Sequence, residues 1–481
     1  MRSAVRKLSS QTSENVKVAV IGLDSAAPQL VFYQYREELP NLARLMGKGL
    51  WGELESTIPP ITVPAWLSMV TSLDPGQLGL YGFRNRRSYN YNDHVIANSN
   101  MVEADTVWDV LGRAGKRVIL LGVPPSYPPK PVNGVLTTCF LTPSTKSQYT
   151  YPPELRKEVE KVVGEYKIDV ENFRTEDKEK LLEEIYELAE QRFTLAKHFL
   201  TTKPWDFFMM VEMGVDRIQH GFWKFTDPNH PKHTPGNKYL NVIKDYYKYL
   251  DKKIGELLDL LPEETNIVVV SDHGAQPMKG GICINEWLVQ RGYLTLENYP
   301  PRLTPIEKLS IDWGHTKAWG SGGYYARIFI NVKKREPNGV IEKKEYEEFR
   351  EKLKHEIEEI PDEDGGGMEN KVYKPEEVYQ SIRGIPPDLI VYFDNLRWRS
   401  VGSLGLNTLH THENDTGPDD ANHSQQGIFI LCSPENRLPR GHLYGLNILD
   451  VAPTLLDFYG LSLPHPAGGE SILNQAKPDK P

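Results

Sequence analysis

The chain has 481 residues, of which 39% are hydrophobic and 25% are charged. These values are ordinary for a globular protein and exclude a disordered, collagen-like or coiled-coil chain. An excess of 65 acidic over 56 basic residues gives a formal net charge of −9, which argues against a dedicated nucleic-acid-binding protein. The length fits one large α/β domain with insertions, or two to three smaller domains.

The remaining global features point to a cytoplasmic protein. Residues 1–15 are basic and rich in serine but lack an apolar stretch, so we expect a disordered lead-in and not a secretory signal. No run approaches 18 consecutive apolar residues, which predicts no membrane span. Cys139, Cys283 and Cys432 are too scattered to form a disulfide framework or a thiolate zinc site.

Short apolar runs predict seven strands that are buried on both faces. In chain order these runs are 16–22, 117–123, 206–212, 266–271, 325–332, 388–393 and 427–432. Helical patterns lie between them, at 62–73, 106–114, 176–200, 239–261, 343–360 and 447–459. The alternation predicts a doubly wound α/β fold with a mostly parallel sheet over residues 16–475.

Three long segments interrupt this alternation, at about 74–104, 124–175 and 284–420. They are rich in glycine, proline, tyrosine and charged residues. Insertions of this length between sheet elements usually build a cap or the wall of an active site, and we expect that role here.

Acidic residues and histidines follow three of the predicted strands. Asp24 follows the first run, Asp216 and His220 follow the run at 206–212, and Asp272 and His273 follow the run at 266–271. Any one of these residues is ordinarily a helix cap or part of a surface pair. At the carboxyl edge of one sheet, however, three carboxylates would repel one another unless cations lay among them. The spacing of Asp216 and His220 places both on one side of a helical turn. Together these residues predict a metal site.

Thr62 begins the helical pattern at 62–73, with Pro64 in its first turn. Alone, it would be interpreted as a helix cap. A hydroxyl beside the free N–H groups of a helix N-terminus also suits the binding of a phosphate group.

Together these motifs resemble the alkaline phosphatase superfamily, in its branch of type I phosphodiesterases and nucleotide pyrophosphatases. They follow the family's order: Asp24 after a first strand, PNLARL at 40–45, TVP at 62–64, Asp216 and His220, SDHG at 271–274, His423, and NILDVAPTLL at 447–456. YPPEL at 151–155 and PPDLIV at 386–391 further resemble a bacterial and archaeal subgroup of predicted phosphohydrolases or phosphomutases.

The resemblance implies two divalent metal ions, zinc in the first place and manganese as the alternative. One ion would be held by Asp24, Thr62, Asp272 and His273, and the other by Asp216, His220 and His423. Thr62 would be the nucleophile and form a phosphothreonine intermediate. His315, His410 and His412 are not expected to be ligands.

The expected substrate is a small phosphorylated molecule, with nucleotides among the candidates. In the nucleotide pyrophosphatases an asparagine follows the nucleophile by about twenty residues, and here Phe83 stands at that place. Asn85, Arg84 or Arg86 would then contact the phosphoryl group. Arginine pairs well with a dianionic phosphate monoester or with a second phosphate group. Phosphodiesters and phosphate monoesters therefore both remain possible substrates.

The family's use of threonine favours cleavage of phosphodiester or pyrophosphate bonds. A phosphomonoesterase or phosphomutase on the same scaffold is the first alternative, and a metal-binding scaffold without turnover is the second. A sulfatase is excluded because its nucleophile is formed from cysteine or serine. The sequence does not indicate an oligomeric state.

Overall fold

The structure is a computed structural model that describes residues 16–434 and 438–475. The lead-in predicted at residues 1–15 lies outside the described residues. None of the described helices is long and apolar enough to cross a membrane.

Within the described residues, the centre of the molecule is a ten-stranded sheet. In spatial order its strands are Gly441–His442, Leu50–Glu55, Gln426–Cys432, Thr265–Val270, Lys17–Leu23, Phe207–Glu212, Val118–Leu121, Gly134–Thr137 and Thr150–Tyr151, with Leu446–Asn447 also paired to Leu50–Glu55. Most pairs are parallel, whereas Gln426–Cys432 runs antiparallel to both of its neighbours. The predicted mostly parallel α/β sheet is therefore confirmed.

Most of the helices pack around this sheet, whereas Ile284–Gln290 and Tyr346–Glu358 bury their apolar residues in the hydrophobic core of the insertion at 284–420. The α-helices are Pro40–Lys48, Thr62–Thr71, Pro75–Leu78, Val107–Arg113, Leu155–Val163, Lys178–Thr202, Gly214–Thr226, Val242–Leu258, Ile284–Gln290, Tyr346–Glu358, Pro375–Val378, Val451–Asp457 and Ile472–Gln475. Short 3-10 turns precede two of the predicted helices, at Lys343–Glu345 and Ile448–Asp450.

A second sheet with its own hydrophobic core lies in the insertion at 284–420. Its strands, in spatial order, are Ala318–Ser321, Ala326–Ile330, Leu389–Tyr392 and Lys371–Tyr373, and all of its pairs are antiparallel. Two of these strands correspond to the runs at 325–332 and 388–393, which the sequence pattern assigns to the central sheet. That assignment was wrong because a continuous apolar run shows that a strand is buried but not which sheet buries it.

Part of the insertion at 124–175 belongs to the central sheet. Its strands Gly134–Thr137 and Thr150–Tyr151 extend the central sheet instead of forming a separate cap. Smaller antiparallel pairings occur elsewhere, and one of them joins Gly274–Pro277 to Ala421–Ser424. The strand Ala421–Ser424 contains His423, one of the predicted metal ligands.

Candidate active site

The carboxyl ends of three neighbouring strands bring together the acidic residues that the sequence singles out. Thr265–Val270, Lys17–Leu23 and Phe207–Glu212 lie side by side in the sheet and run parallel. Asp24 directly follows the middle strand, Asp272 follows the first, and Asp216 lies in the first turn of the helix after the third. All three carboxylates are at most 2% exposed.

Thr62 and His423 reach the same place from other parts of the chain. Thr62 is the first residue of its helix and is 4% exposed, and its Oγ1 lies 3.4 Å from Nε2 of His273. His423 lies opposite Ala275 in the pairing of the two short strands. The nucleophile candidate therefore faces the histidine and carboxylate cluster.

A tryptophan connects the helix of Thr62 to the acidic cluster. The Trp66 indole Nε1 donates a hydrogen bond to Oδ2 of Asp24 at 2.7 Å. The close packing depends on Gly22, because a Cβ there would lie only 2.5 Å from the Trp66 ring. Gly22 thus lets the helix approach the sheet at this edge.

Two groups of possible metal ligands share His273. Asp24, Asp272 and His273 form one group, and Asp216, His273 and His423 form the other. In each group the ligand atoms lie within 4.8 Å of one another. His220 completes the cluster, because its Nε2 lies 3.2 Å from Oδ1 of Asp216. The structure therefore places all seven predicted ligand residues around one centre.

The three imidazoles are oriented by acceptors at their Nδ1 atoms. His273 Nδ1 lies 3.0 Å from the carbonyl oxygen of Gly274, and His423 Nδ1 lies 2.7 Å from that of Pro60. His220 Nδ1 lies 2.7 Å from the carboxylate of Asp419. An acceptor at Nδ1 fixes the proton there and leaves the Nε2 lone pair free to bind a metal.

Several polar atoms in the centre of the cluster have no hydrogen-bond partner. These atoms are Asp24 Oδ1, Asp216 Oδ1, Asp272 Oδ2 and His220 Nε2. Buried polar atoms without partners are costly, and native proteins rarely keep them without a reason. Oxygen and imidazole nitrogen ligands suit zinc or manganese. The residues present therefore fit divalent metal ions.

The pKa values of the cluster are shifted because its ionisable side chains are buried close together. Burial raises the pKa of Asp24 well above its ordinary value, as does the nearby Asp216 carboxylate. Burial and the Asp24 carboxylate act in the same way on the pKa of Asp272. Burial lowers the pKa of His273 to about 4 and places that of His423 well below its ordinary value. Neutral imidazoles are the form that binds metals.

Asp216 and His220 behave as a charged pair. Burial opposes ionisation of the Asp216 carboxyl, but His220 and Arg217 outweigh burial and lower its pKa. Burial likewise opposes protonation of His220, but Asp419 outweighs it and raises the imidazole pKa. In the absence of a metal cation, a protonated His220 would supply the positive charge beside the Asp216 carboxylate.

Sequence reasoning missed the residues that surround this cluster. Asp419 accepts from His220 and also from Nε of Arg174 at 2.9 Å. Tyr324 packs its ring 4.1 Å from that of His423, and its hydroxyl accepts from Arg174. The acidic pair 419–420, just before His423, is the only signal of Asp419 that the sequence offers.

A cavity of about 930 Å³ opens onto the cluster. Thr62, Asp216 and His423 line it, and its walls come from the insertions. Phe83 and Phe140 form part of one wall, with their ring centroids 5.9 Å apart. The cavity is large enough for a small phosphorylated molecule with an aromatic or apolar part.

The three predicted substrate-binding residues have different positions. Arg84 lines the cavity. Asn85 does not, because its amide accepts from the Tyr81 N–H and donates to the Gly82 carbonyl. Arg86 is also turned away and binds Glu336 and the Tyr89 carbonyl. We therefore retain only Arg84 as a substrate-binding candidate from this loop.

The three histidines that are not expected to be metal ligands lie outside the cluster. His410 binds the Pro361 carbonyl, His412 binds Glu363, and the exposed His315 pairs with Asp312.

Known proteins resemble this chain in fold over almost its whole length. Human ectonucleotide pyrophosphatase/phosphodiesterase 5 is 15% identical and matches with a TM-score of 0.56, covering 94% of this chain and 97% of its own. An inactive threonine-to-alanine variant of the murine protein, in complex with AMP, is 15% identical with a TM-score of 0.53, covering 94% and 97%.

Phosphonoacetate hydrolase from Sinorhizobium meliloti, in complex with phosphonoformate, is 16% identical with a TM-score of 0.58, covering 93% of this chain and 95% of its own. These likenesses show that the chain shares the fold of these proteins. No curated protein matches the sequence.

A sequence model of one enzyme family matches residues 18–419. The match includes Asp24, Thr62, Asp216, His220 and the 271–274 motif, and it supports phosphoester hydrolase activity. The chain belongs to the type I phosphodiesterase/nucleotide pyrophosphatase family.

Proposed function

We propose that the protein is a two-metal hydrolase that cleaves phosphodiester or pyrophosphate bonds through a phosphothreonine intermediate. The observation that carries the proposal is the position of the Thr62 hydroxyl. It lies 3.4 Å from Nε2 of His273, at the point where the two groups of possible ligands meet and where the cavity opens.

Metal ions would be held by the residues of these two groups together with Thr62 and His220, with His273 assigned to one ion only. Asp24, Asp272, His273 and Thr62 would hold one ion, and Asp216, His220 and His423 would hold the other. When bound, such ions lower the pKa of a coordinated hydroxyl or water and neutralise charge on phosphate oxygens. Asp419 would keep the His220 imidazole in the tautomer that binds metal.

The first chemical step would be attack by Oγ1 of Thr62 on phosphorus. The Thr62 hydroxyl loses its proton to solvent and its oxygen forms a bond to phosphorus, while the bond to the leaving alcohol or phosphate breaks and the remaining ester stays on Thr62. The free backbone N–H groups at the start of the Thr62 helix would stabilise the phosphoryl oxygens. Water then attacks the same phosphorus and releases Thr62.

The murine relative supports this role for Thr62, because a threonine-to-alanine variant of that protein is inactive and binds AMP. The support is by analogy of fold and motif order. The aromatic wall at Phe83 and Phe140 suits a nucleoside or another flat group, and Arg84 suits a second negative charge.

A phosphomonoesterase or phosphomutase remains the second candidate. The observation that favours it is the number of arginines that line the cavity, which are Arg84, Arg174, Arg217, Arg327 and Arg399. Guanidinium groups pair well with a dianionic phosphate monoester.

Release of p-nitrophenol from two esters tests the proposal. Protein loaded with zinc or manganese should hydrolyse bis(p-nitrophenyl) phosphate with a higher kcat/KM than p-nitrophenyl phosphate, and chelator should abolish both reactions. If the monoester is hydrolysed roughly tenfold better, the monoesterase proposal replaces this one. Absence of turnover with either ester and either metal would contradict both.

A further inference from the structure

Arg399 is a buried arginine that faces the cavity. It lies in the strand Trp398–Val401, its side chain is 3% exposed, and it lines the same cavity as Thr62. Its position deep in the cavity distinguishes it from Arg84, which is exposed.

The guanidinium of Arg399 lacks the hydrogen bonds that a buried arginine requires. Its Nε and Nη1 are buried and have no hydrogen-bond partner. The nearest carboxylates are Asp415 and Asp419, each 3.7 Å away, which is too far for a hydrogen bond. Asp419 Oδ2 already accepts from Arg174. Asp415 accepts from the Ser403 hydroxyl at Oδ2, while its Oδ1, the oxygen nearest Arg399, has no hydrogen-bond partner.

Neighbouring arginines of the cavity do have close partners. Arg217 makes two hydrogen bonds to Asp169 and a third to Asp216. Arg174 donates to Asp419 and to the Tyr324 hydroxyl. Because a guanidinium cannot lose its charge readily, burying it without hydrogen bonds carries a free-energy cost. A bound oxyanion would supply the missing acceptors at Nε and Nη1 in the bidentate arrangement that arginine favours.

The location of Arg399 indicates where that oxyanion would sit. Asp419, 3.7 Å from Nη1, is the residue that orients His220. The Tyr324 ring, 5.9 Å from the Arg399 guanidinium, packs against the rings of His220 and His423. Arg399 is therefore next to the reacting centre and not at the cavity rim.

We propose that Arg399 binds a second acidic group of the substrate, a carboxylate or a phosphate, close to the phosphorus that reacts. The inference rests on the proposed function and narrows its substrate class to phosphoric esters that carry a further anionic group near the scissile bond.

Three esters with the same leaving group test the inference. They are the p-nitrophenyl phosphates whose second ester group is ethyl, carboxymethyl or phosphoryloxyethyl, so that the scissile bond is constant and only the added anion changes. Metal-loaded wild-type protein should show a kcat/KM for at least one acidic ester roughly tenfold or more above that for the ethyl ester. The carboxymethyl and phosphoryloxyethyl arms show which acid is preferred.

Substitution of Arg399 should remove this preference. In Arg399→Gln the ratio of kcat/KM between acidic and ethyl esters should fall to about one, mainly through KM, and Arg399→Lys should keep part of it. Arg397→Gln is the matched control, because Arg397 is two residues away, half-exposed and bound to Asp394. It should leave the ratio unchanged. A wild-type ratio near one, or a ratio that survives in Arg399→Gln, would overturn the inference.

Affinity and melting measurements separate this inference from the proposed function. Calorimetry on metal-loaded Thr62→Ala, with and without Arg399→Gln, gives the dissociation constants of the three esters. These constants report the anion preference even if no ester is turned over. Without ligand, Arg399→Lys should melt within about 2 °C of wild type, because it keeps a positive charge beside Asp415 and Asp419 and no hydrogen bond is lost. A clearly lower melting temperature would assign Arg399 a structural role and overturn the inference.

Discussion

The Nδ1 atom of His220 lies 2.7 Å from Oδ1 of Asp419, and both side chains are buried. The two residues are 199 positions apart in the chain. The contact fixes the orientation of a proposed metal ligand from outside the ligand group, and such partners commonly set metal affinity.

Asp419→Asn is therefore expected to weaken metal binding. The loss of the carboxylate charge weakens the acceptor that holds the His220 imidazole in place, so zinc affinity should fall roughly 10- to 100-fold. Competition with a chromophoric chelator measures this affinity. Asp420→Asn is the matched control because Asp420 lies beside Lys224 at 3.6 Å, and it should change zinc affinity less than about threefold. Equal affinities in wild type and Asp419→Asn would contradict this role.

Thr62→Ala should abolish turnover and barely alter stability. The Thr62 hydroxyl does not cap its helix, since the N-cap position is Ile61, and its contact is with His273. We expect kcat to fall by three or more orders of magnitude, as roughly found for lost nucleophiles, with the melting temperature within about 2 °C. Thr62→Ser should retain partial activity.

Thr71→Ala is the matched control for this variant. Thr71 is buried at the far end of the same helix, where its hydroxyl donates to the Leu67 carbonyl. This variant should lose some stability but retain turnover. More than a tenth of wild-type kcat in Thr62→Ala would remove Thr62 from the nucleophile role.

Removal of metal should destabilise the protein. Chelation leaves Asp24, Asp216 and Asp272 buried together with unpaired oxygens. The melting temperature should fall in chelator and recover with zinc or manganese, because a metal at 100 times its dissociation constant stabilises by about 2.7 kcal/mol. Asp272→Asn should reduce the shift and Cys283→Ala should not. An identical melting curve with and without chelator, on protein shown to contain metal, would argue against the site.

The effect of chelator should grow with pH. Folding raises the pKa values of Asp24, Asp272 and His220 in metal-free protein. Their protonated forms then stabilise the fold below the unfolded-state pKa values, and this contribution is lost as pH rises through the folded-state values. Asp216, whose pKa is lowered, contributes in the opposite sense only below about pH 4.

Between about pH 4 and 6.5 the lowered pKa values of His273 and His423 oppose this loss. Metal-free protein should therefore lose stability chiefly as pH rises above about 6.5, while metal binding becomes stronger because the ligands must release protons. Melting curves with and without zinc over this range should diverge, and calorimetry in two buffers should show protons released on binding. A constant difference between the two melting temperatures, with no proton release, would contradict these pKa shifts.

Part of this site could be predicted from the sequence for a definite physical reason. Asp24, Asp216 and Asp272 follow parallel strands, and the carboxyl ends of such strands meet at one edge. The contacts that sequence reasoning missed are between distant residues. Asp419 meets His220 across 199 positions, and Arg86 meets Glu336 across 250. Local patterns do not encode such pairings.

Asn85 shows the limit of counting along a loop. Its position after Thr62 made it a candidate substrate contact, but its side chain stabilises its own turn by bonding to Tyr81 and Gly82. Asparagine commonly bonds to nearby backbone in this way.

The stereochemical course of hydrolysis tests the central claim, a covalent intermediate on Thr62, most directly. A single diastereomer of a phosphorothioate diester would be hydrolysed by metal-loaded protein in water enriched in heavy oxygen, and the configuration at phosphorus would be determined in the product. Each in-line displacement inverts phosphorus, so attack by Thr62 followed by attack by water predicts overall retention. Overall inversion would show that water attacks the substrate directly, and it would contradict the phosphothreonine intermediate.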